Sequence, residues 1–434
     1  MTDDKLLERH RRVLPSWQSL YYDQPIELVS GTGCVVTDTS GREYLDFFGG
    51  ILTTISGHNV PEVVEAIRQQ AGRVLHTSTL YLSRPAVELA ERIAELSTIP
   101  DAKVFLVSSG TEATEAALMF CCAARRSNQV LALRNSYHGR SFTAISVTGN
   151  RSWSPSSFSP LQVSYLHNGD RLRGPFAGLP DDEFNALAAD DLRQVIETTT
   201  SGDVACLIAE PIQGVGGFVV PPDGFFGALK KVLDEYGILF VSDEVQTGWG
   251  RTGEHFWGFQ AHGITPDLIT FAKGLGNGVA IGGVVGRRDL IDSLAANSIS
   301  TFGGNPLAAS AALANLDYLI SHDLQSNALA MGTVLMAGLR PLEKALGIVG
   351  QVRGKGLMVG VELVHGPTLL PFPEAAQAVL EGTKAAGLLI GRGGLYGNVL
   401  RISPPLSVRR QEVEEAVNIL VDVITKVNGE MEGR

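Results

Sequence analysis

The stretch DLITFAKGLGNG, residues 267–278, decides how this chain is read. Its opening residues suit a buried strand, and the run then closes on a lysine, Lys273, ahead of a glycine-rich turn. In open α/β sheets ligands bind outside the carboxyl ends of the strands, so an ammonium there is either a solvated terminus or a working group. Neighbouring runs repeat the pattern. Between about residues 103 and 288, KVFLVSS, QVLALRN, VACLIAEP, ILFVSDEV, DLITFAK and GGVVGRR alternate with helical stretches, which predicts a largely parallel sheet wrapped by helices. Several of these runs end in a polar or charged residue, Ser109, Glu210, Asp243 or Lys273, and such ends are expected to converge on one site.

The flanks read differently. ELVSGTGCVVTDTSGREYLDF suggests a hairpin, with turn signals at 30–33 and 39–41. After the amphipathic run NPLAASAALANLDYLI, short strands such as LMVGVEL and VLRISPP mix with helices. The expected division is an amino-terminal segment of a small domain at 1–48, a large ligand-binding domain at 49–320, and the rest of the small domain, α+β in character, at 321–434.

Composition bounds the function. With 434 residues, 44% hydrophobic and 19% charged, the chain can bury a large core. A formal net charge of -11 with no local run of Lys and Arg argues against a nucleic-acid partner. Cys34, Cys121, Cys122 and Cys206 lack metal-type spacing and suggest free thiols in a reducing compartment. The start MTDDKLLERHRRVLPSW lacks the apolar centre of a signal peptide, and no run reaches the ~20 apolar residues of a membrane span. The expectation is a cytoplasmic protein without a membrane partner. No HExxH or comparable histidine pattern points to a metal.

Three motifs carry the chemistry. SSGTEATEAAL reads as a strand end, a tight turn and a helix start, where free N–H groups, the helix dipole and Gly110 together suit an anion. The same residues also describe an ordinary capped helix with Thr111 near its N-cap. AEPIQG and SDEVQTGWGRTG set Glu210, Asp243 and Glu244 at the ends of apolar strands, where each carboxylate requires a partner. Asp243 and Lys273, about one βαβ unit apart, could simply pair with each other.

Pyridoxal phosphate accounts for more of them. Lys273 would form the Schiff base, Asp243 would keep the pyridine nitrogen protonated, and the turn of Ser109, Gly110 and Thr111 would take the phosphate. A desolvated strand-end position lowers the lysine's affinity for its proton, as attack on an aldehyde requires. NSYHGRSF adds Tyr137, an aromatic that could stack on the ring or pack in the core, while His138 reads as a structural histidine.

With these residues assembled, the chain resembles the class III aminotransferases, pyridoxal phosphate enzymes of fold type I. The resemblance spans nearly the whole chain: DTSGREYLDFFGG, SSGTEATEAAL, YHGR, AEPIQG, SDEVQTGWGRTG, HGITPDLITFAKGLGNG, STFGGNPLA, VRGKGLMVGVEL and VLRISPPL. It implies that Lys273 carries a proton between substrate and cofactor, that Asp243 is the pyridinium partner and that Gln246 bonds the ring hydroxyl. Tyr137 and Val245 would sandwich the ring, with Gly110 and Thr111 in the phosphate turn. Thr301 would be a phosphate ligand reaching across a homodimer with shared sites. Arg401 would bind the substrate α-carboxylate, Glu210 would pair with Arg401 when an ω-amino substrate lacks one there, and Arg140 would bind a distal carboxylate.

Within the family, LYYDQPIELVSGTG, HTSTLYL and GLLIGRGGLYGNVLRISPPL look closest to the mitochondrial and plant-type alanine-glyoxylate aminotransferases, whereas Arg140 fits the 4-aminobutyrate branch. The family's usual GHxHP is GHNVP here, and EANE is EATE, with Thr114. The implied reaction moves an amino group from an ω-amino acid or alanine to a small α-keto acid such as pyruvate, glyoxylate or 2-oxoglutarate. The same residues in other class III enzymes serve decarboxylation, aminomutase or phospho-lyase chemistry, and a non-catalytic pyridoxal phosphate-binding regulator is a further alternative.

Overall fold

The structure, a computed structural model, describes residues 4–432; the first three residues of the expected amino-terminal segment and the last two of the carboxyl-terminal one lie outside it. A helix, Asp4–Val13, precedes three antiparallel strands, β1 (Leu28–Thr32), β2 (Val35–Asp38) and β3 (Glu43–Asp46). The stretch read as a hairpin, 27–47, is thus a three-strand meander. Its second turn is built by Asp38, whose Oδ1 accepts from Ser40 N, Ser40 Oγ and Arg42 N.

The main sheet contains β4 (Ala102–Val107), β5 (Gln129–Leu133), β6 (Gln162–Leu166), β7 (Cys206–Ala209), β8 (Leu239–Asp243), β9 (Leu268–Phe271) and β10 (Gly282–Arg287). Their order is β4-β10-β9-β8-β7-β5-β6. β7, β8 and β9 are buried throughout, as expected of central strands covered on both faces. Only β10 runs against the others. A parallel return needs a crossover of a dozen or more residues, usually through a helix, and the link at 272–281 holds only one short turn. Sequence reasoning missed β6. It lies at the sheet edge, where its mixed exposure removes the continuous apolar signal of the central strands.

A second sheet joins β11 (Val349–Lys355), β12 (Met358–His365), β15 (Gly391–Gly393) and β16 (Val399–Ile402), with β13 (Leu370–Pro371) on β12. The helices Leu324–Leu339, Pro373–Ala385 and Arg410–Glu432 pack beside it. One short strand, β14 (Leu388–Leu389), leaves this region to pair in parallel with β3, which ties the two ends of the chain together. Phe47, Trp249 and Phe271 share one buried apolar cluster with Leu357 and Leu400, so the two sheets pack through a common core.

Glu244 shows how a buried strand-end carboxylate is satisfied. It meets no cation; it accepts from Ser242 Oγ at 3.1 Å, Thr247 Oγ1 at 2.6 Å, Gly258 N at 2.8 Å and Phe259 N at 2.8 Å. Burial nonetheless pushes its proton affinity above the usual carboxylate range. Glu244→Ala leaves at least two buried amides without an acceptor and should lower unfolding free energy by about 2–4 kcal/mol. Urea unfolding read by tryptophan fluorescence checks this, and a midpoint equal to wild type would contradict the role.

Candidate active site

Lys273 lies one residue past β9, after Ala272, and opens a single 3-10 turn, Lys273–Gly276. Its φ is 41°, a left-handed conformation that costs roughly 1–3 kcal/mol for a residue with a side chain. Two side-chain amides, one of them fully buried, hold the turn against that strain. Asn315 Nδ2 donates to Gly274 O at 2.9 Å and Leu275 O at 3.0 Å. Asn277 Oδ1 accepts from Ser56 N, and its Nδ2 donates to Gly57 O, both at 2.9 Å. Burial drives the Lys273 ammonium down to about 8, against the attraction of Asp243. No carboxylate among the described residues lies within ion-pair distance of Lys273, so the simple Asp243–Lys273 pair is not formed.

Asp243 is paired instead with His138, Oδ2 to Nδ1 at 2.6 Å, and its Oδ1 accepts from Val245 N at 3.2 Å. Burial works against the charged imidazole, yet the bond to Asp243 leaves His138 with a raised proton affinity. His138 Nε2 is buried and has no partner. The histidine read as structural therefore belongs to the site, bonded to a carboxylate 105 residues away in the chain.

A cavity of about 310 Å³ joins these groups, lined among others by Ser109, Thr111, Tyr137, Glu210, Val245 and Lys273. At one end is the helix Gly110–Arg125, whose N-cap is Ser109 rather than Thr111; Ser109 Oγ accepts from Glu112 N at 3.2 Å. Ser109 O accepts from Ala113 N, which leaves the amides of Gly110 and Thr111 outside the helical ladder. Gly110 is tight against Val245: an added Cβ would lie 3.3 Å from Val245 Cγ1. Tyr137 stands edge-on to Trp153, ring centroids 5.3 Å apart. A larger cleft of about 590 Å³, around Arg340, Arg353 and Lys355, gathers none of these groups.

Glu210 and Arg401 are arranged otherwise than expected. Glu210 Oε1 accepts from Tyr137 N at 2.9 Å and Oε2 from Gly214 N at 2.8 Å, and burial pushes this carboxyl up to about 7. Two backbone amides thus occupy the carboxylate expected to pair with Arg401. Arg401 donates from Nη2 to Gln246 Oε1 at 2.8 Å, and its guanidinium carbon lies 4.6 Å from the Phe218 ring centroid and 5.2 Å from that of Phe48. A guanidinium has no acceptor, so Gln246 must turn its oxygen toward Arg401 and its Nε2 away. Arg401 Nε has no partner, and burial lowers the guanidinium to about 10.

Two expected residues are not brought in. Thr301 is exposed and does not line the cavity. Arg140 is likewise exposed and outside the lining, although its charge acts on the Tyr137 hydroxyl. Several lining residues escaped sequence reasoning, Thr53, Ser108, Val279 and Ile281 among them, and Thr53 has the most unusual setting. It follows four successive left-handed residues, Gly49, Gly50, Ile51 and Leu52, with φ of 55°, 58°, 65° and 61°. Asp46 Oδ1 accepts the amides of Phe48 and Gly49 just ahead of this turn.

Residues 20–424 match the family described as aminotransferase class-III. The chain is a class III aminotransferase. It is 38% identical to the mitochondrial alanine-glyoxylate aminotransferase 2 homolog 2 of Arabidopsis thaliana, over 96% of this chain and 86% of that one. It is 36% identical to a leucine/methionine racemase of Thermococcus litoralis, covering 100% of this chain and 97% of that protein. A thermostable (S)-enantioselective omega-transaminase from Thermomicrobium roseum superposes with a TM-score of 0.90 at 34% identity, covering 98% and 99% of the two chains.

This class III aminotransferase uses pyridoxal phosphate. The donor set fits the group: unpaired helix-start amides for a dianionic phosphate, a paired carboxylate for a ring nitrogen, and an amine of lowered proton affinity for an aldehyde. Only the neutral amine attacks the aldehyde. Below pH 8 the rate at which the aminotransferase apoenzyme takes up pyridoxal phosphate should therefore rise roughly tenfold per pH unit, then level off above it. Stopped-flow absorbance measures this, and a plateau reached only near the ordinary lysine range would refute the lowered value.

Proposed function

We propose that the enzyme moves an amino group from alanine or an ω-amino acid to a small α-keto acid in two half-reactions. The observation that carries this reading is the approach of Lys273, Asp243 with His138, and the helix start at Gly110 and Thr111 to one cavity that Arg401 borders through Gln246. When bound, pyridoxal phosphate supplies an aldehyde that captures an amine and a protonated ring that accepts electron density from the substrate's α-carbon. Lys273 Nζ takes the proton from that α-carbon and returns one to complete each half. Asp243, oriented by His138, keeps a proton on the ring nitrogen it faces. Ser109, Gly110 and Thr111 would hold the phosphate, Tyr137 and Val245 would flank the ring, and Gln246 Nε2 would be free to donate to the ring hydroxyl.

In this reading Arg401 binds the α-carboxylate. Its cation is sheltered by the Phe48 and Phe218 faces and by Gln246, so an ω-amino donor that presents no carboxylate there is tolerated without a Glu210 ion pair. The enzyme works as a homodimer with shared sites, in which Thr301 reaches the partner's phosphate. Exposed apolar side chains, Phe302 beside it at 61% and, elsewhere, Tyr81 at 71% and Leu82 at 98%, fit a surface that a second copy covers. We place the enzyme in the cytoplasm, in keeping with its thiols.

The test of the whole reading is a half-reaction screen, in which the purified holoenzyme is mixed with single amino acids and its cofactor absorbance followed. Bleaching by alanine or an ω-amino acid, reversed by pyruvate or glyoxylate, is expected. Interconversion of L- and D-alanine without any keto acid would favour racemase chemistry instead. Asp243→Asn should slow turnover on the order of a hundredfold or more with cofactor still bound. Near-native turnover would remove Asp243 from its role. Arg401→Gln should raise KM for the keto acid about a hundredfold with a much smaller change in kcat, measured by steady-state kinetics with pyruvate.

A further inference from the structure

Arg251 is 1% exposed and, among the described residues, has no carboxylate partner. It lies on the loop that follows β8, the same loop that carries Val245 and Gln246. Its Nη1 donates to Leu357 O at 3.2 Å and to Pro404 O, and its own carbonyl accepts from Leu357 N at 3.2 Å. Nε and Nη2 are buried without partners, and burial lowers the guanidinium to about 9. A buried cation without a counter-charge is expensive, and for cohesion alone an apolar side chain of similar volume serves as well or better. What Arg251 contacts suggests a more specific role.

β12 and β16 are antiparallel, with Val359 opposite Ile402 and Gly360 opposite Arg401. Leu357 and Pro404 therefore lie two positions past the last pair at one end of this ladder, Leu357 in the turn that joins β11 to β12. Arg251 caps that end with one guanidinium nitrogen. Five residues earlier in the same loop, Gln246 meets the head of Arg401. The loop thus grips β16 at two points, its terminus and its functional side chain. Since side chains alternate along a strand, small slippage of β16 would turn Arg401 away from the cavity.

We propose that Arg251 is a positioning residue that fixes Arg401 for the substrate carboxylate, an inference that rests on the reading of Arg401 as the carboxylate-binding group. Arg251 touches neither substrate nor cofactor in this scheme. It acts by holding β16 in register against the loop that carries Gln246.

The experiment uses holoenzyme and an unreactive carboxylate, propionate, whose binding is followed by the perturbation of cofactor absorbance. Arg251→Met keeps the volume and removes both carbonyl contacts; its propionate Kd should rise about tenfold or more. Arg251→Lys keeps the charge but cannot reproduce the geometry of the planar guanidinium, and a smaller rise of about two- to fivefold is expected. In both variants the cofactor absorption maximum and its pH titration should match wild type, which a general loosening of the site would not allow. Wild-type propionate affinity in both variants overturns the proposal, as does an altered cofactor spectrum that accompanies the weaker binding. If Arg251→Met fails to fold, Arg251→Lys alone decides on the same two readouts. Arg401→Gln is measured alongside: unchanged propionate affinity there would refute the reading of Arg401 itself, separately from that of Arg251.

Discussion

The parallel register of β8 against β9 is the constraint on which the site depends. Asp243 lies opposite Thr270, and Glu244 N donates to Thr270 O at 2.9 Å, so the carboxyl ends of both strands leave the sheet together. Two functional side chains at the tips of neighbouring parallel strands face the same solvent edge, whereas in an antiparallel pair they would lie at opposite ends. The helix start at Gly110 reaches that edge because β4 runs in the same sense. Reversal of β10 between them costs nothing functionally, since its own end carries none of the site groups.

Burial then acts on three of the charges at the site, in the direction that disfavours ionisation. Lys273 releases its proton more readily, Glu210 holds its proton more tightly, and Arg401 is lowered. His138 runs the other way, because Asp243 at 2.6 Å outweighs its desolvation. The site therefore holds one group ready to accept a proton and one pair that keeps a proton in place, the separation of roles that acid–base chemistry at neutral pH needs. Arg401 is a different case: aromatic faces and an amide oxygen surround it where a carboxylate would neutralise it, which leaves room for a carboxylate from outside.

How much of this was legible in the sequence follows from the range of each interaction. Strand ends at Ser109, Glu210, Asp243 and Lys273 were visible because each closes an apolar run of local origin. The largely parallel sheet was legible from its alternation with helices, while β6 was not, being an edge strand with polar interruptions. The His138–Asp243 pair left no trace, for a histidine beside a tyrosine looks the same whether its partner is a carboxylate from another strand or a nearby hydroxyl. Gln246 and Arg401 are 155 residues apart and meet only through tertiary packing. Thr53 was hidden for another reason. The left-handed turn before it includes Ile51, a β-branched residue in a conformation that favours glycine, and no local pattern announces such a choice.

The pairing of β3 with β14 has a consequence for the birth of the protein. Leu45 and Asp46 leave the ribosome early, yet the residues they pair with, Leu388 and Leu389, come near the end of the chain. At roughly 5–20 residues per second, synthesis of the intervening chain takes on the order of tens of seconds. Throughout that time the edge of β3, with its apolar Tyr44 and Leu45, has no strand to cover it. Nascent chains of this protein thus expose a sticky edge during translation, and molecular chaperones that shield such edges would act on the first fifty residues until Leu388 and Leu389 are made.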